Sequence, residues 1–401
     1  MIVGAGVEQV PAYEAAKKRG LTVVGSDGNE RAPGLTLADH VLIASTRDAE
    51  ATLAVALDFC SEHAIDGVMT IANDVPYTVA RVADALGLPS ISLDAAKCAT
   101  DKLLMKERFR TNGVACPWFA SVENAVHLKE LVGSLEHEVY VLKPVDGRGA
   151  RGVLLLDKSV DLEWAYNESK RWGESGRLLL EKFIPGTQLS TESFILNGKC
   201  YTPAIAERNY ARLEQFRPNI IEDGGTIPPE LGSRQLKAID DVILRGAAAM
   251  GIQRGLIKGD LVLDRDGEPL IIELAPRLSG GWLATHQIPA ASGVSLVDAV
   301  ISYSLGAPVT AEQLTPKRHR STAIRYWFPP TGVIQKVHGE DDLKRIPGLL
   351  QYGFFRKAGD MQPRIRMHPD RFGYVIVEGA DRAEALARVE QALSCVTIEI
   401  S

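Results

Sequence analysis

The sequence predicts an α/β fold that passes into α+β. A doubly wound parallel sheet is expected over residues 1–97, a mixed core over 98–306, and a small α+β domain over 318–401. Three observations carry this. Short apolar runs alternate with helix-length segments at the N-terminus, which implies parallel strands joined by helical crossovers. Asn197-Gly198 and Asp266-Gly267 each sit between apolar runs, the signal for antiparallel hairpins. From about residue 320 strand-like and helix-like segments alternate again.

The bulk properties narrow the function. A chain of 401 residues with 45% apolar and 24% charged residues is an ordinary globular protein of two or three domains. The net charge of −6 argues against a nucleic-acid partner held by bulk charge. No apolar run reaches the ~18 residues of a membrane span. The chain opens directly on strand-like Met1-Ile2-Val3, so no signal peptide is expected, and the shortness of that strand leaves room for a start further upstream. The five cysteines form no C-x-x-C, which fits a cytoplasmic protein, and the eight histidines are dispersed, which argues against zinc.

Met1–Ala5 reads as a strand and Val7–Arg19 as a helix ended by Gly20. Leu21–Ser26 and Val41–Ala44 are the next strands, followed by a helix over Asp48–His63. Gly67–Ile71 is the fourth strand, and a helix runs from about Val75 to Leu86. Gly4-Ala5-Gly6 has two glycines of a dinucleotide-binding turn, but Gln9 stands where the third belongs; a tight strand-to-helix turn accounts for it equally. Asp27 is placed to bind a ribose or to close a turn.

Thr100 or Asp101 caps a helix that runs to about Asn112 and stops at Gly113. Met105 and Phe109 share one face; Lys102 and Lys106 share another, where lysines are ordinarily solvated. The strand Val139–Leu142 delivers Lys143-Pro144 to the loop Asp146-Gly147-Arg148-Gly149-Ala150-Arg151-Gly152, and the strand Val153–Leu156 follows. Three glycines let amides turn toward an anion and two arginines add charge. No Gly-Lys-Ser/Thr follows, so this is no Walker loop; it reads as a hairpin over phosphates or a flexible turn. Leu178–Leu180 is a buried strand ending in the hinge Glu181-Lys182-Phe183-Ile184-Pro185-Gly186, whose main chain suits a purine edge or merely leaves the sheet. Leu189–Leu196 turns at Asn197-Gly198. Residues 207–230 are polar and rich in Pro and Gly, and are expected to be a long binding loop in which Arg208, Arg212 and Arg217 meet an anion or are solvated. A helix follows over Ser233–Met250.

The stretch 258–281 carries the sharpest signal. If Asp266-Gly267 is a two-residue type I′ turn, Arg265 faces Glu268, and counting back places Asp260 opposite Glu273 on one face. Facing carboxylates repel, and a divalent cation with hard-oxygen preference removes that cost; the plainer alternative is a solvated pair splayed into water. Arg277 ends the second strand, and Leu278-Ser279-Gly280-Gly281 is a flexible turn beside it. His286 lies near that turn, a helix spans Ser295–Leu305, and Ala307–Lys317 is a linker. The C-terminal domain is expected to contain strands Ala323–Phe328, Gly332–Val337, Gly373–Glu378 and Val396–Ile400, with a helix over Asp381–Leu393.

Taken in order, the Asp-Lys helix, Lys-Pro before a glycine-rich loop, the Glu-led hinge and the carboxylate hairpin ending in Pro-Arg and Gly-Gly resemble the ATP-grasp superfamily of carboxylate–amine and carboxylate–thiol ligases. The resemblance covers nearly the whole chain. It implies a preATP-grasp domain, a core of two α+β subdomains and a C-terminal domain similar to that of biotin carboxylase. It implies ATP held by Lys102, Lys143 and the loop residues Gly147, Arg148, Gly149 and Gly152. It also implies purine contacts from Glu181, Lys182, Phe183 and Ile184, and Gln188 in the place of a ribose-binding Glu. Asp260 and Glu273 are implied as ligands of magnesium or manganese, and Arg277 as the residue that holds the substrate carboxylate or its acyl phosphate. Ser279, Gly280, Gly281, His286, Arg217 and Arg325 are the remaining substrate-side candidates. Ala275 stands where relatives carry a metal-binding Asn, and Gln188 drops a charge. A homodimer is implied by the resemblance alone.

The implied chemistry is ATP-dependent activation of a small carboxylate as an acyl phosphate and its capture by an amine, as in amino-acid ligases or phosphoribosylglycinamide-synthetase-like chains. Two other readings stay open: an ATP-binding regulatory protein without turnover, and a nicotinamide-dependent oxidoreductase using Gly4-x-Gly6. The last leaves the hairpin and the Lys143 loop unexplained.

Overall fold

The computed structural model describes residues 1–134 and 139–401. The N-terminal sheet is parallel, with Ile2–Val3 beside Val24–Asp27 and the latter beside His40–Ile43. The predicted fourth strand is reduced to a bridge between Ile2 and Met69 and another between Ile71 and Leu278. The two faces are covered separately, as double winding requires. Ala12, Tyr13 and Ala16 of the helix Val10–Lys18 pack in one core, while Leu53 and Ala56 of Ala49–Phe59 and Val82 and Ala83 of Pro76–Ala85 pack with Val3 in another. The Gly4–Gly6 turn is filled from within. Buried Gln9 donates to the carbonyls of Ile71 and Ala72, and Asp27 accepts from the Ala5 and Asn29 amides. Asp27 therefore closes a turn.

The core holds two antiparallel sheets. One has the order Phe119–Val122, Leu178–Lys182, Tyr140–Pro144, Leu154–Leu156, and its inner leucines pack under the helices Ala125–Ser134 and Leu162–Lys170. The other has eight strands and runs from Pro269–Ala275 through Gly255–Leu263, Thr187–Leu196, Lys199–Asn209 and Gly224–Ile227 to Ser321–Trp327, Gly373–Gly379 and Leu349–Phe354. The sheet thus continues from the core into the C-terminal domain.

That continuity corrects the reading of residues 207–230 as one loop. Lys199–Asn209 carries Glu207 and Arg208 into the sheet, and Gly224–Ile227 bridges it to Ser321–Trp327, Thr226 facing both Glu207 and Ala323. Pairing on both sides satisfies main-chain groups that polarity and proline content had suggested were free. The strand Leu349–Phe354 was also missed, and Ala311–Leu314 is a short helix inside the expected linker.

The hairpin pairs Asp260 with Glu273, as the count required, but by a different route. The turn is one residue longer: the Asp264 amide donates to the Glu268 carbonyl, and at its centre only Gly267 has a positive φ, 78°. That shifts the register by one, so Leu261 faces Ile271. Ile272 then forms a β-bulge that restores the expected pairing at Asp260.

Candidate functional site

The two core sheets, the N-terminal turn and the C-terminal domain enclose a cleft of about 1360 Å³. Its wall includes Lys102, Lys143, Gly147, Arg148, Gly149, the 181–184 hinge, Gln188, Asp260, Glu273, Arg277 and the Ser279–Gly281 turn. Strand geometry explains the convergence: Asp260 and Glu273 face each other across adjacent strands and so project to one side.

Three ionic groups line or underlie this wall. At the first, Glu181 is buried between two ammoniums, with Lys106 Nζ 2.8 Å from Oε1 and Lys143 Nζ 2.5 Å from Oε2. Burial pushes this carboxyl up, but the two lysines outweigh it and hold it below its ordinary value. Glu181, for which the resemblance implies a purine contact, lines the cleft and has both oxygens on lysines, which fixes Lys143 beside it. Lys106, expected to be solvated, is fully buried, because the helix Lys102–Thr111 lies under the hinge and Lys106 also reaches the Ile271 carbonyl at 3.3 Å.

At the second, Asp260 meets Lys258 directly, Arg208 Nη1 at 3.3 Å and Ser190 Oγ at 3.3 Å. Burial opposes its charge, but Lys258 and Arg208 hold it well below the usual carboxylate range. Glu273 lies 3.4 Å from Lys102 Nζ, which also donates to the Gly147 carbonyl at 2.7 Å and so ties the glycine-rich loop to the hairpin. Among the described residues no group of three His, Cys, Asp or Glu side chains is arranged to hold a metal. Ala275 adds no oxygen, so the donors are the two facing carboxylates. That set suits magnesium, which keeps several waters and takes one or two carboxylates together with phosphate oxygens.

At the third, Arg277 is paired with Asp74 from the N-terminal domain, Nε to Oδ1 at 2.7 Å, and donates to the Leu278 carbonyl. The adjoining turn is pinned by two carboxylates that the sequence did not mark. Glu192 accepts from the Ser279 amide at 2.9 Å and Glu8 from the Gly281 amide at 2.7 Å. Burial raises both carboxyls, Glu192 to about 7. A Cβ on Gly280 would lie 2.6 Å from a Glu8 oxygen, so a side chain there would displace the Glu8 carboxylate.

Four expected residues stand apart from the cleft wall. Arg217 pairs with Asp157 at 2.7 Å and Glu214 at 2.8 Å. Arg325 donates to the Gly225 carbonyl at 3.2 Å and lies 3.6 Å from Glu390. His286 is bonded to Thr285 at 2.9 Å, and burial lowers its pKa. Gly152, at φ 67°, lies against the following helix, where a Cβ would meet Trp172 at 2.9 Å; packing is reason enough for glycine there. In the other direction, Glu222, His368 and Arg371 enter the wall without having been anticipated. Glu222 comes from the 207–230 segment expected to bind a ligand, whereas His368 and Arg371 come from a segment whose sequence shows no periodic or motif signal.

Residues 99–281 match the ATP-grasp domain family, residues 13–90 the ATP-grasp N-terminal domain, and residues 325–401 the L-amino acid ligase C-terminal domain 2. Among curated proteins, dapdiamide A synthase of Enterobacter agglomerans is 22% identical over 292 residues, spanning 70% of this chain and 67% of that protein. Among solved structures, an L-amino acid ligase from Bacillus licheniformis superposes with a TM-score of 0.85 at 21% identity, covering 100% of this chain and 98% of that one. A phosphoribosylglycinamide synthetase from Anaerococcus prevotii gives 0.76 at 19% identity, again over 100% and 98%.

Proposed function

The chain belongs to the ATP-grasp ligases, and we propose that within them it is an amino-acid ligase, using magnesium-ATP to join the carboxylate of one small molecule to the amine of an amino acid. The observation that carries this reading is the facing of Asp260 and Glu273 in the cleft that also holds Lys143 and the Gly147–Gly149 loop. The family of the C-terminal segment and the named activities of the relatives support the amino-acid class.

A carboxylate is a poor electrophile; transfer of the γ-phosphoryl group of ATP, with release of ADP, converts it to an acyl phosphate, and attack by an amine then forms the amide and releases phosphate and a proton. Such transfer depends on positioning and charge neutralisation more than on covalent help. Asp260 and Glu273 would hold magnesium, or manganese, which when bound neutralises phosphate charge. Lys143, fixed by Glu181, and the loop amides would share the remaining charge. Lys102 would hold the loop over the phosphates through Gly147, excluding water that hydrolyses the intermediate. The main chain from Lys182 to Ile184 would face the purine and Gln188 the ribose. Arg277 would hold the substrate carboxylate, and the turn pinned by Glu8 and Glu192 would shape the space beside it.

The test is ADP release from magnesium-ATP across a panel of carboxylates, amino acids and carboxylate–amine pairs. Release that requires a carboxylate together with an amino acid is the expected result. ATP binding with no turnover across the panel would favour the non-catalytic ATP-binding reading.

A further inference from the structure

Arg208, Glu222, His368 and Arg371 line the cleft but have no part in the reaction as described. They form one chain of contacts that starts in the C-terminal domain and ends at Asp260. Arg371 is 7% exposed and lies over the Tyr326 ring, 3.8 Å from its centroid. It donates to the Glu222 carbonyl from Nε at 3.1 Å and from Nη2 at 2.5 Å. His368 Nε2 accepts the Glu222 amide at 3.4 Å. The main chain of Glu222 is thus gripped at both its amide and its carbonyl. Its carboxylate takes Arg208 Nε at 2.8 Å and Nη2 at 2.5 Å, a charged contact that fixes the plane of the guanidinium. One edge of Arg208 is left, and its Nη1 points to Asp260 Oδ1 at 3.3 Å.

This geometry does more than neutralise Asp260, for which Lys258 is already in contact. If Asp260 held a cation, it would need Arg208 less as a counter-charge. Arg208 cannot follow a flexible path away, because two of its nitrogens stay on Glu222. With a cation at Asp260, the Arg208 Nη1 would remain a fixed donor facing the cleft, and an anion arriving there would be attracted by both positive charges. In the ligase reading, on which this rests, that anion is the terminal phosphoryl group. We propose that Arg208 is a phosphate-binding residue of the transfer step, and that the C-terminal domain positions it through Arg371 and His368 acting on Glu222. Arg208 touches the transferred group; Glu222, His368 and Arg371 are positioning residues.

The test compares Arg208→Gln, Arg371→Gln and the double variant in the full chain, by calorimetric titration with magnesium-ATP and magnesium-ADP and by thermal unfolding. Arg208→Gln is expected to weaken ATP binding about tenfold while leaving ADP within about twofold, because ADP lacks the group that Arg208 meets. Arg371→Gln should show the same preference in milder form. The double variant should be no worse than Arg208→Gln alone, since one residue acts through the other. Equal losses for ATP and ADP, or losses that multiply in the double variant, overturn the proposal. So does ATP affinity unchanged in Arg208→Gln while wild type binds ATP. A wild-type chain that binds neither nucleotide overturns the ligase reading as well, and so separates the two failures.

Discussion

Arg277 Nε donates to Asp74 Oδ1 at 2.7 Å, joining the end of the Asp260–Glu273 hairpin to the N-terminal domain. Burial pushes the Asp74 carboxyl up, but Arg277 outweighs it and keeps it charged, below its ordinary value. The guanidinium proposed to hold the substrate carboxylate therefore already holds one.

A substrate carboxylate arriving at Arg277 meets the charge of Asp74. Asp74→Asn keeps a hydrogen-bond acceptor for Arg277 but removes that repulsion. KM for the carboxylate substrate is expected to fall several-fold, with KM for ATP unchanged. Steady-state kinetics with each substrate varied in turn check this; an unchanged or higher carboxylate KM would show that Asp74 orients Arg277 rather than competing for it.

Glu273→Ala leaves Asp260 without its facing partner and the proposed metal with one protein ligand. Turnover is expected to fall at least about 100-fold while the fold is retained, because Glu273 is half-buried at the cleft surface. ADP release and circular dichroism measured together decide; appreciable magnesium-dependent turnover would refute the metal assignment.

The Lys106–Glu181–Lys143 group predicts an asymmetry in stability. Glu181→Gln strands two ammoniums that are almost fully buried, and is expected to cost about 3–5 kcal/mol. Lys106→Met leaves Glu181 paired with Lys143 and fills the space with an apolar chain, so it should cost less than about 2 kcal/mol. Urea unfolding of the two variants compares them; the reverse order would mean that Lys106 is the keystone.

Glu192 sets a pH dependence. Burial raises its carboxyl from 4.5 unfolded to about 7 folded. Between those values the folded state holds the extra proton, so stability falls as pH rises from about 5 to 7 and the loss is complete above the folded value. Glu192→Gln still accepts from the Ser279 amide and removes the titration. The variant is expected to gain up to about 3 kcal/mol over wild type at pH 8, and to show a flatter stability profile between pH 5 and 7. Denaturant unfolding at a series of pH values measures both; parallel profiles would rule the account out.

Much of the fold was legible because local physics carried it. Asn197-Gly198 turns with both residues at positive φ, 51° and 72°, as a type I′ turn requires, and Asp101 caps its helix by accepting from the Leu104 amide at 2.9 Å. The facing of Asp260 and Glu273 was reached from sequence through two departures that cancel, a longer turn and a bulge at Ile272. Only the intended burial face was encoded; a one-residue slip without the bulge would have turned one of the two carboxylates away.

By itself, the sequence determined the strand–helix alternation of the N-terminal domain, the glycine-rich loop after Lys143 and the pair of hairpin carboxylates, because each rests on local patterns. Tertiary structure alone decided the partners of those groups. Glu181 faces inward because Lys106 and Lys143 converge on it from separate elements, and Arg277 meets Asp74 some 203 positions away in the chain. Residues 207–209 and 224–227 are strand because neighbouring strands offered hydrogen bonds. Such pairings depend on charge, burial and main-chain satisfaction between distant segments, and no local pattern records them.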